Sequence, residues 1–269
     1  MADVVTEPVG VTRAAVLEGV PHGFLGRSGG ISRGVVAGLN VGLGADDSQF
    51  AVAENRQRAV AAVMPHAKLA TVYQVHSPHC VIAENPWLDD ERPHADALVT
   101  NQRGLLLGIV TADCAPVLFA DMIAGVVGAA HAGWKGALAG VTDQTIAAME
   151  ELGAKRENIT AAIGPCIAQS SYEVDTRFRD NFLSQEVKYA EFFAPGLSGR
   201  WQFNLEKFTA SRLRQAGIAG VESLGLDTYS LSTQFFSYRR ATHRGHETYG
   251  RQISLIGLPI ALSAQANAT

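Results

Sequence analysis

Three cysteines in 269 residues, at Cys80, Cys114 and Cys166, are too few and too far apart for a disulfide framework or a CxxC pair. A reducing, cytoplasmic setting is therefore expected. No stretch approaches the ~20 uninterrupted apolar residues of a membrane span. The opening MADVVTEPVG carries Asp and Glu where a secretory signal has a basic segment and an apolar run. Basic excess is missing too: the formal net charge is −4, so long-range attraction to nucleic acid is absent and neither nucleic acid nor membrane is an expected partner. Repeats, low-complexity runs and Pro/Ser linkers are all absent, which predicts one domain over residues 1–269 with loose tails at 1–10 and 261–269. What remains is 47% hydrophobic, enough for a sizeable core.

The middle of the chain reads as strands: LATVYQV running to His76, then HCVIAE, ADALVT, LLLGIVTA, PVLFA and AGVVGAA. Several are apolar on both faces, and such strands are covered on both faces. The expectation is an α/β (α+β) fold with a mixed central sheet flanked by helices. Helices are predicted over Ser48 to Val63, capped by Asp46-Asp47-Ser48, over Gly136 to Leu152, and over Leu205 to Ala216.

Three of these segments share one design, an apolar strand running into a reactive side chain followed by small or turn-forming residues. They are Tyr73-Gln74-Val75-His76-Ser77-Pro78, Val110-Thr111-Ala112-Asp113-Cys114-Ala115-Pro116 and Gly128-Ala129-Ala130-His131-Ala132-Gly133-Trp134. A sheet fixes the backbone while the strand end exposes the side chain, so three such ends can meet at one point. His76, Cys114 and His131 form a borderline-soft ligand set suited to Zn²⁺ with a fourth position open, and copper is the substitute the same set allows. Zinc in such a site lowers the pKa of bound water toward ~7 and polarises an oxygen that replaces it. The separations of 38 and 17 residues match no compact zinc-finger pattern. Without a metal, a strand-end Cys is a small hydrophobe and a lone His a core or surface residue.

HAGWKGALAGV, TADCAPVLFAD, QVHS, AAIGPCI with SYEVD after it, HGFLGRSGGIS, GLNVG, and FFSYRR followed by YGRQ strongly resemble the YfiH family, also called the polyphenol oxidase or peptidoglycan editing factor family, over roughly residues 20 to 255. The resemblance implies a YfiH-like cysteine-hydrolase-type fold and zinc held by His76, Cys114 and His131. It also implies a purine nucleoside phosphorylase that splits adenosine, inosine or methylthioadenosine with phosphate, together with adenosine deaminase activity, in a monomer or small homo-oligomer. Two positions depart from the family pattern. Lys135 stands where the family has Arg, which keeps the charge but loses the planar fork. Asp227-Thr228 stands where it commonly has Cys-Thr, which leaves any role of that cysteine without its residue.

Cys114, His131, His76 and Asp113 are the catalytic candidates, with Asp113 read as general acid or base or, preferably, as the group that orients a ligand histidine. Substrate-binding candidates are Arg27 in a Gly-rich turn, Asn40 in GLNVG, Arg56 on the first helix, and Arg239 and Arg240 beside three aromatics. Each has a plain structural alternative: a solvated turn arginine, an exposed helix face, or a core strand with charged ends. His79 and Cys80 are the nearby residues able to close the metal site. Rival functions are a metal-free thiol hydrolase with Cys114 as nucleophile and His131 as base, and a non-catalytic zinc protein affecting peptidoglycan composition. Multicopper laccase chemistry fits poorly, because the chain has only eight histidines and no His-X-His pair.

Overall fold

The computed structural model describes residues 7–260. One five-stranded sheet has the order β1 (Val11–Thr12), β2 (His22–Leu25), β14 (Gln252–Gly257), β6 (Leu105–Thr111), β3 (Lys68–Thr71). A six-stranded sheet runs β13 (Gly220–Ser223), β9 (Thr160–Ile163), β7 (Ala115–Asp121), β8 (Val126–Ala132), β5 (Ala97–Thr100), β4 (Cys80–Ile82). Both are mixed, with parallel pairs at β3/β6, β4/β5 and β9/β13. A small antiparallel sheet joins β10 (Glu173–Asp175), β12 (Arg200–Phe203) and β11 (Phe193–Pro195).

The α/β class with mixed sheets is as expected, but the central layer is doubled. Alternation along the strands shows why. In β7, Val117 and Phe119 face a cluster that includes Ile146 and Met149 of α3 (Val141–Glu151) and Phe208 and Leu213 of α5 (Leu205–Gln215). Leu118 and Ala120 face the opposite way, onto Leu107 and Ile109 of β6 and Ile256 of β14. The far side of the five-stranded sheet, with Leu106, Ile253 and Leu255, is covered by Ala59 and Val63 of α1 (Gln49–Val63). The layers are helix, sheet, sheet, helix. A strand apolar on both faces reads the same whether its second cover is a helix or another sheet, so the sequence pattern could not separate the two.

Local signals placed α1 and α5 well. Ser48 caps α1 by accepting from the Ala51 N–H, and Asn204 caps α5 by accepting from Lys207. The helix expected over 136–152 is instead α2 (Trp134–Ala139) followed by α3, broken at Gly140, whose φ of 93° is left-handed. Of the loose tails expected over 1–10 and 261–269, residues 1–6 and 261–269 lie outside the described residues, while Val9 packs against the cluster beneath α1. No described helix is long and apolar enough to cross a membrane.

Candidate metal centre

His76, Cys114 and His131 meet: one ligand atom from each lies within 4.8 Å of the others, with Sγ of Cys114 3.9 Å from Nε2 of His76. The two imidazoles cross at 72° with centroids 4.8 Å apart. Zinc bonds of about 2.1 Å to nitrogen and 2.3 Å to sulfur place tetrahedral ligands roughly 3.5 Å apart, so a small contraction closes the group on one ion. Gly133 keeps the space open. A Cβ there would stand 2.8 Å from Cδ2 of His76 and 3.0 Å from Sγ of Cys114.

The elements deliver these ligands differently from the strand-end expectation. His131 lies within β8, Cys114 in the short connection from β6 to β7, and His76 five residues beyond β3. The segment carrying His76 is irregular, and His76 itself has φ 62°, uncommon for a residue with a side chain. Asp96, fully buried, holds that turn. Its carboxylate accepts from the backbone N–H groups of Val75 (3.1 Å), His76 (2.9 Å) and Ser77 (2.6 Å) and from the Ser77 hydroxyl (2.9 Å). It also lies 2.8 Å from Nδ1 of His131. A carboxylate accepts, so the proton sits on Nδ1 and Nε2 of His131 is free to bind a metal.

Asp96 therefore makes the contact the sequence assigned to Asp113. Asp113 is itself buried, with left-handed φ of 86°, and accepts from Thr228 Oγ1 (2.7 Å), Ser237 Oγ (3.0 Å) and the Arg239 N–H (2.6 Å). Those bonds anchor the Cys114 loop to α6 (Tyr238–His243).

Charge within the group is arranged for a thiolate. Burial alone would push the Cys114 thiol up, but the His131 charge and hydrogen bonds from both histidines outweigh it and bring it down to about 7. Burial opposes the proton on His131, and the Cys114 thiolate with Asp96 overcomes it, so His131 rises. Burial also works against ionised Asp96; bonds from His131 and Ser77 bring it to about 2. Cys80, by contrast, is pushed up to about 12 by burial beside α3, and His79 is exposed. Neither joins the three-ligand group among the described residues.

Two cavities open on this centre, and both include His76, Ala112 and Cys114 in their walls. The larger, about 550 Å³, is flanked by Trp134, Tyr172, Phe178 and Tyr238, with Lys135 and Arg239 among them. The smaller, about 280 Å³, contains Arg56, Arg92 and Arg251.

Of the predicted substrate residues, Arg239 and Arg56 reach these cavities and the rest do not. The Arg27 guanidinium donates to the carbonyls of Ala37 and Ser232 and lies over the Phe236 ring. Asn40 is buried, donating to Asp47 and accepting from the Gly42 and Arg251 N–H groups. Arg240 is buried on the carbonyls of Thr228, Tyr229 and Phe235. Each serves a loop backbone, because adjacent residues on α6 point to different sides and Gly-rich turns need side chains to satisfy their carbonyls. Asp227 likewise accepts from Ala168 N, Ser171 Oγ and Tyr229 N, a loop-tying role. Sequence reasoning missed Asp96, Tyr172, Thr111, Arg92 and Arg251. Of these, Thr111, Tyr172 and Arg251 fell within marked motifs, TADCAPVLFAD, SYEVD and YGRQ, without being singled out.

Residues 21–259 match the model of the family described as multi-copper polyphenol oxidoreductase laccase. The chain belongs to this family. It is 41% identical over 247 residues to a Deinococcus radiodurans protein named purine nucleoside phosphorylase, covering 89% of this chain and 90% of that one. It is 32% identical to the Shigella flexneri purine nucleoside phosphorylase YfiH, over 86% and 91% of the two chains. The crystal structure of the Neisseria meningitidis protein NMB0706 superposes with a TM-score of 0.84 at 32% identity, covering 94% of this chain and all of that one. The YfiH assignment made from the motifs therefore holds, and with it the fold.

Proposed function

We propose that this chain is a zinc-dependent purine nucleoside phosphorylase of a single YfiH-like domain, acting on adenosine, inosine and methylthioadenosine, with adenosine deaminase activity. The observation that carries the reading is a three-ligand centre, leaving one tetrahedral position, set between an aromatic cavity and an arginine-lined one. The names of the relatives support its purine nucleoside phosphorylase part. The copper in the family description finds less support, since His76, Cys114 and His131 are the one metal-competent group of this kind among the described residues, and multicopper chemistry needs several.

Zinc, when bound, supplies a Lewis acid that polarises oxygen and lowers the pKa of water. The chain supplies the rest. A cavity of about 550 Å³ suits a nucleoside, with Tyr172 and Tyr238 offering faces for a purine and Arg239 a fixed cation beside them. Arg239 is held by a 2.8 Å bond to the Glu173 carbonyl and lies over the Tyr172 ring. Asp96 keeps His131 in one tautomer and His76 in its turn, so that substrate meets ligands already oriented.

Incubating zinc-replete protein with adenosine tests the reading. Adenine and ribose 1-phosphate, formed only with phosphate present, mark phosphorolysis; inosine marks deamination. Neither product from a sample carrying one zinc per chain removes the enzymatic claim.

One observation favours a second reading. Cys114, His131 and Asp96 stand in the order of a thiol, imidazole and carboxylate relay, an arrangement that serves a cysteine hydrolase without metal. Metal content decides between them, because a thiolate ligating zinc is not free to attack.

A further inference from the structure

The smaller cavity holds two polar groups that have no work to do within the protein. Thr111 is 2% exposed and its hydroxyl finds no hydrogen-bond partner among the described residues. Nη1 of Arg251 is buried and equally unpartnered. Both residues line the cavity. A buried donor left open is costly, and completion by a ligand is one reason for a native chain to keep it.

Their setting selects the ligand. Arg56 and Arg92 share the wall with Arg251, and no Asp or Glu lines it. The nearest counter-charge, Asp89, is 3.6 Å from Arg56 Nη1 and from Arg92 Nε, and its side chain is 64% exposed. The larger cavity, by comparison, balances Lys135, Arg200 and Arg239 against Asp113, Glu173 and Asp175.

All three guanidiniums are fixed before any ligand arrives. Arg56 Nε donates to the Val41 carbonyl at 3.0 Å and Arg92 Nε to the Asp89 carbonyl at 2.9 Å. Arg251 is gripped most firmly. Its N–H donates to Asn40, its carbonyl accepts from Val41, its guanidinium lies 4.3 Å from the Tyr249 ring centre, and its stem fills the space a Cβ on Gly42 would need. Such a preformed cationic fork matches a small tetrahedral dianion.

We propose that this cavity is the oxyanion subsite, where Arg251, Arg56, Arg92 and the Thr111 hydroxyl hold inorganic phosphate as the acceptor. The assignment rests on the phosphorylase reading for the phosphate's fate. Because the two cavities meet at His76, Ala112 and Cys114, a phosphate in one faces a nucleoside in the other. A phosphate oxygen forms the bond to C1′ as the bond from C1′ to N9 breaks. The electron pair leaves with N9, the phosphate's proton ends on the base, and ribose 1-phosphate and free purine result.

Titrating inorganic phosphate into the zinc-replete protein by calorimetry, without nucleoside, tests the subsite directly. Arg251→Gln raises the phosphate Kd roughly ten- to a hundredfold, Thr111→Val raises it several-fold, and Arg244→Gln, outside the cavity, leaves it within about twofold. In turnover, KM for phosphate follows Kd in Arg251→Gln, while KM for adenosine shifts far less. Thr111→Val removes one hydroxyl at nearly constant volume, so it carries the test should the arginine variant fail to fold. Wild-type phosphate affinity in both variants overturns the subsite, as does mutual exclusion of phosphate and adenosine, which would mark a nucleotide's own phosphate instead. Ribose 1-phosphate made with an unchanged phosphate KM in Arg251→Gln keeps the phosphorylase and overturns the subsite. Arg251-dependent binding without ribose 1-phosphate does the reverse.

Discussion

Asp96 accepts from five donors, four of them on the turn that carries His76 and the fifth on the ring of His131. An amide in its place turns one acceptor into a donor facing other donors. Asp96→Asn should therefore weaken zinc binding roughly ten- to a hundredfold, as outer-shell changes do, and cost about 3 kcal/mol of folding stability. Competition with a chelating dye and urea unfolding measure the two. The pH dependence has a definite sign. The folded-state pKa of Asp96, about 2, lies below the usual unfolded value of about 4. Its contribution is present above about pH 4 and is lost as pH falls toward 2, so wild type should lose more stability than Asp96→Asn across that window. Cys114 gives a second residue-scale test. In chelator-treated protein its alkylation rate should rise through a midpoint near pH 7 and then level, with Cys80, pushed up to about 12, inert over the same range. Zinc should protect Cys114; equal labelling of both cysteines at neutral pH would contradict the arrangement.

At the scale of elements, β8 passes into α2 through Gly133 alone. Its backbone, φ −69° and ψ 160°, suits any residue, so conformational strain is not what excludes a side chain there. Volume is. A Cβ meets His76 and Cys114 inside contact distance, and Gly133→Ala should cost roughly tenfold or more in zinc affinity while the metal-free protein keeps its circular dichroism spectrum. The same junction shows what a sequence reveals. Helices α1 and α5 were legible within a residue or two because their caps and apolar stripes are local. Strands β5 to β8 were legible from their runs of apolar residues, and the ligands from their positions between strands and turns. Asp96 was not, although its strand was: its importance comes from a loop 20 residues away that folds over it. Nor was Thr111 distinguishable from any strand-end threonine, since being unpartnered is a property of its surroundings. Arg240 was misread for the converse reason. A cation beside aromatics has the same pattern whether it faces a ligand or three backbone carbonyls.

For the whole molecule, each ligand sits where the chain crosses from one large sheet to the other or lies against that crossing. His76 falls between β3 of the five-stranded sheet and β4 of the six-stranded one; Cys114 falls between β6 and β7; His131 is within β8. A bound ion thus ties the two sheets together at one edge of the core they share. Metal that binds only the folded chain adds stability by mass action, about 4 kcal/mol when free zinc is a thousand times Kd. For a chain of this size each kcal/mol moves Tm by roughly 2–4 °C. Chelation of the zinc-loaded protein should lower Tm by about 10 °C, and the drop should reverse on adding zinc back. Cys114→Ser replaces the thiolate with a poor ligand, so its Tm should lie near that of chelated wild type and respond little to zinc. The comparison separates ligation from packing. A serine that disturbed only packing would lower both curves and leave the zinc-dependent gap intact, and that outcome would mean the three side chains do not share an ion.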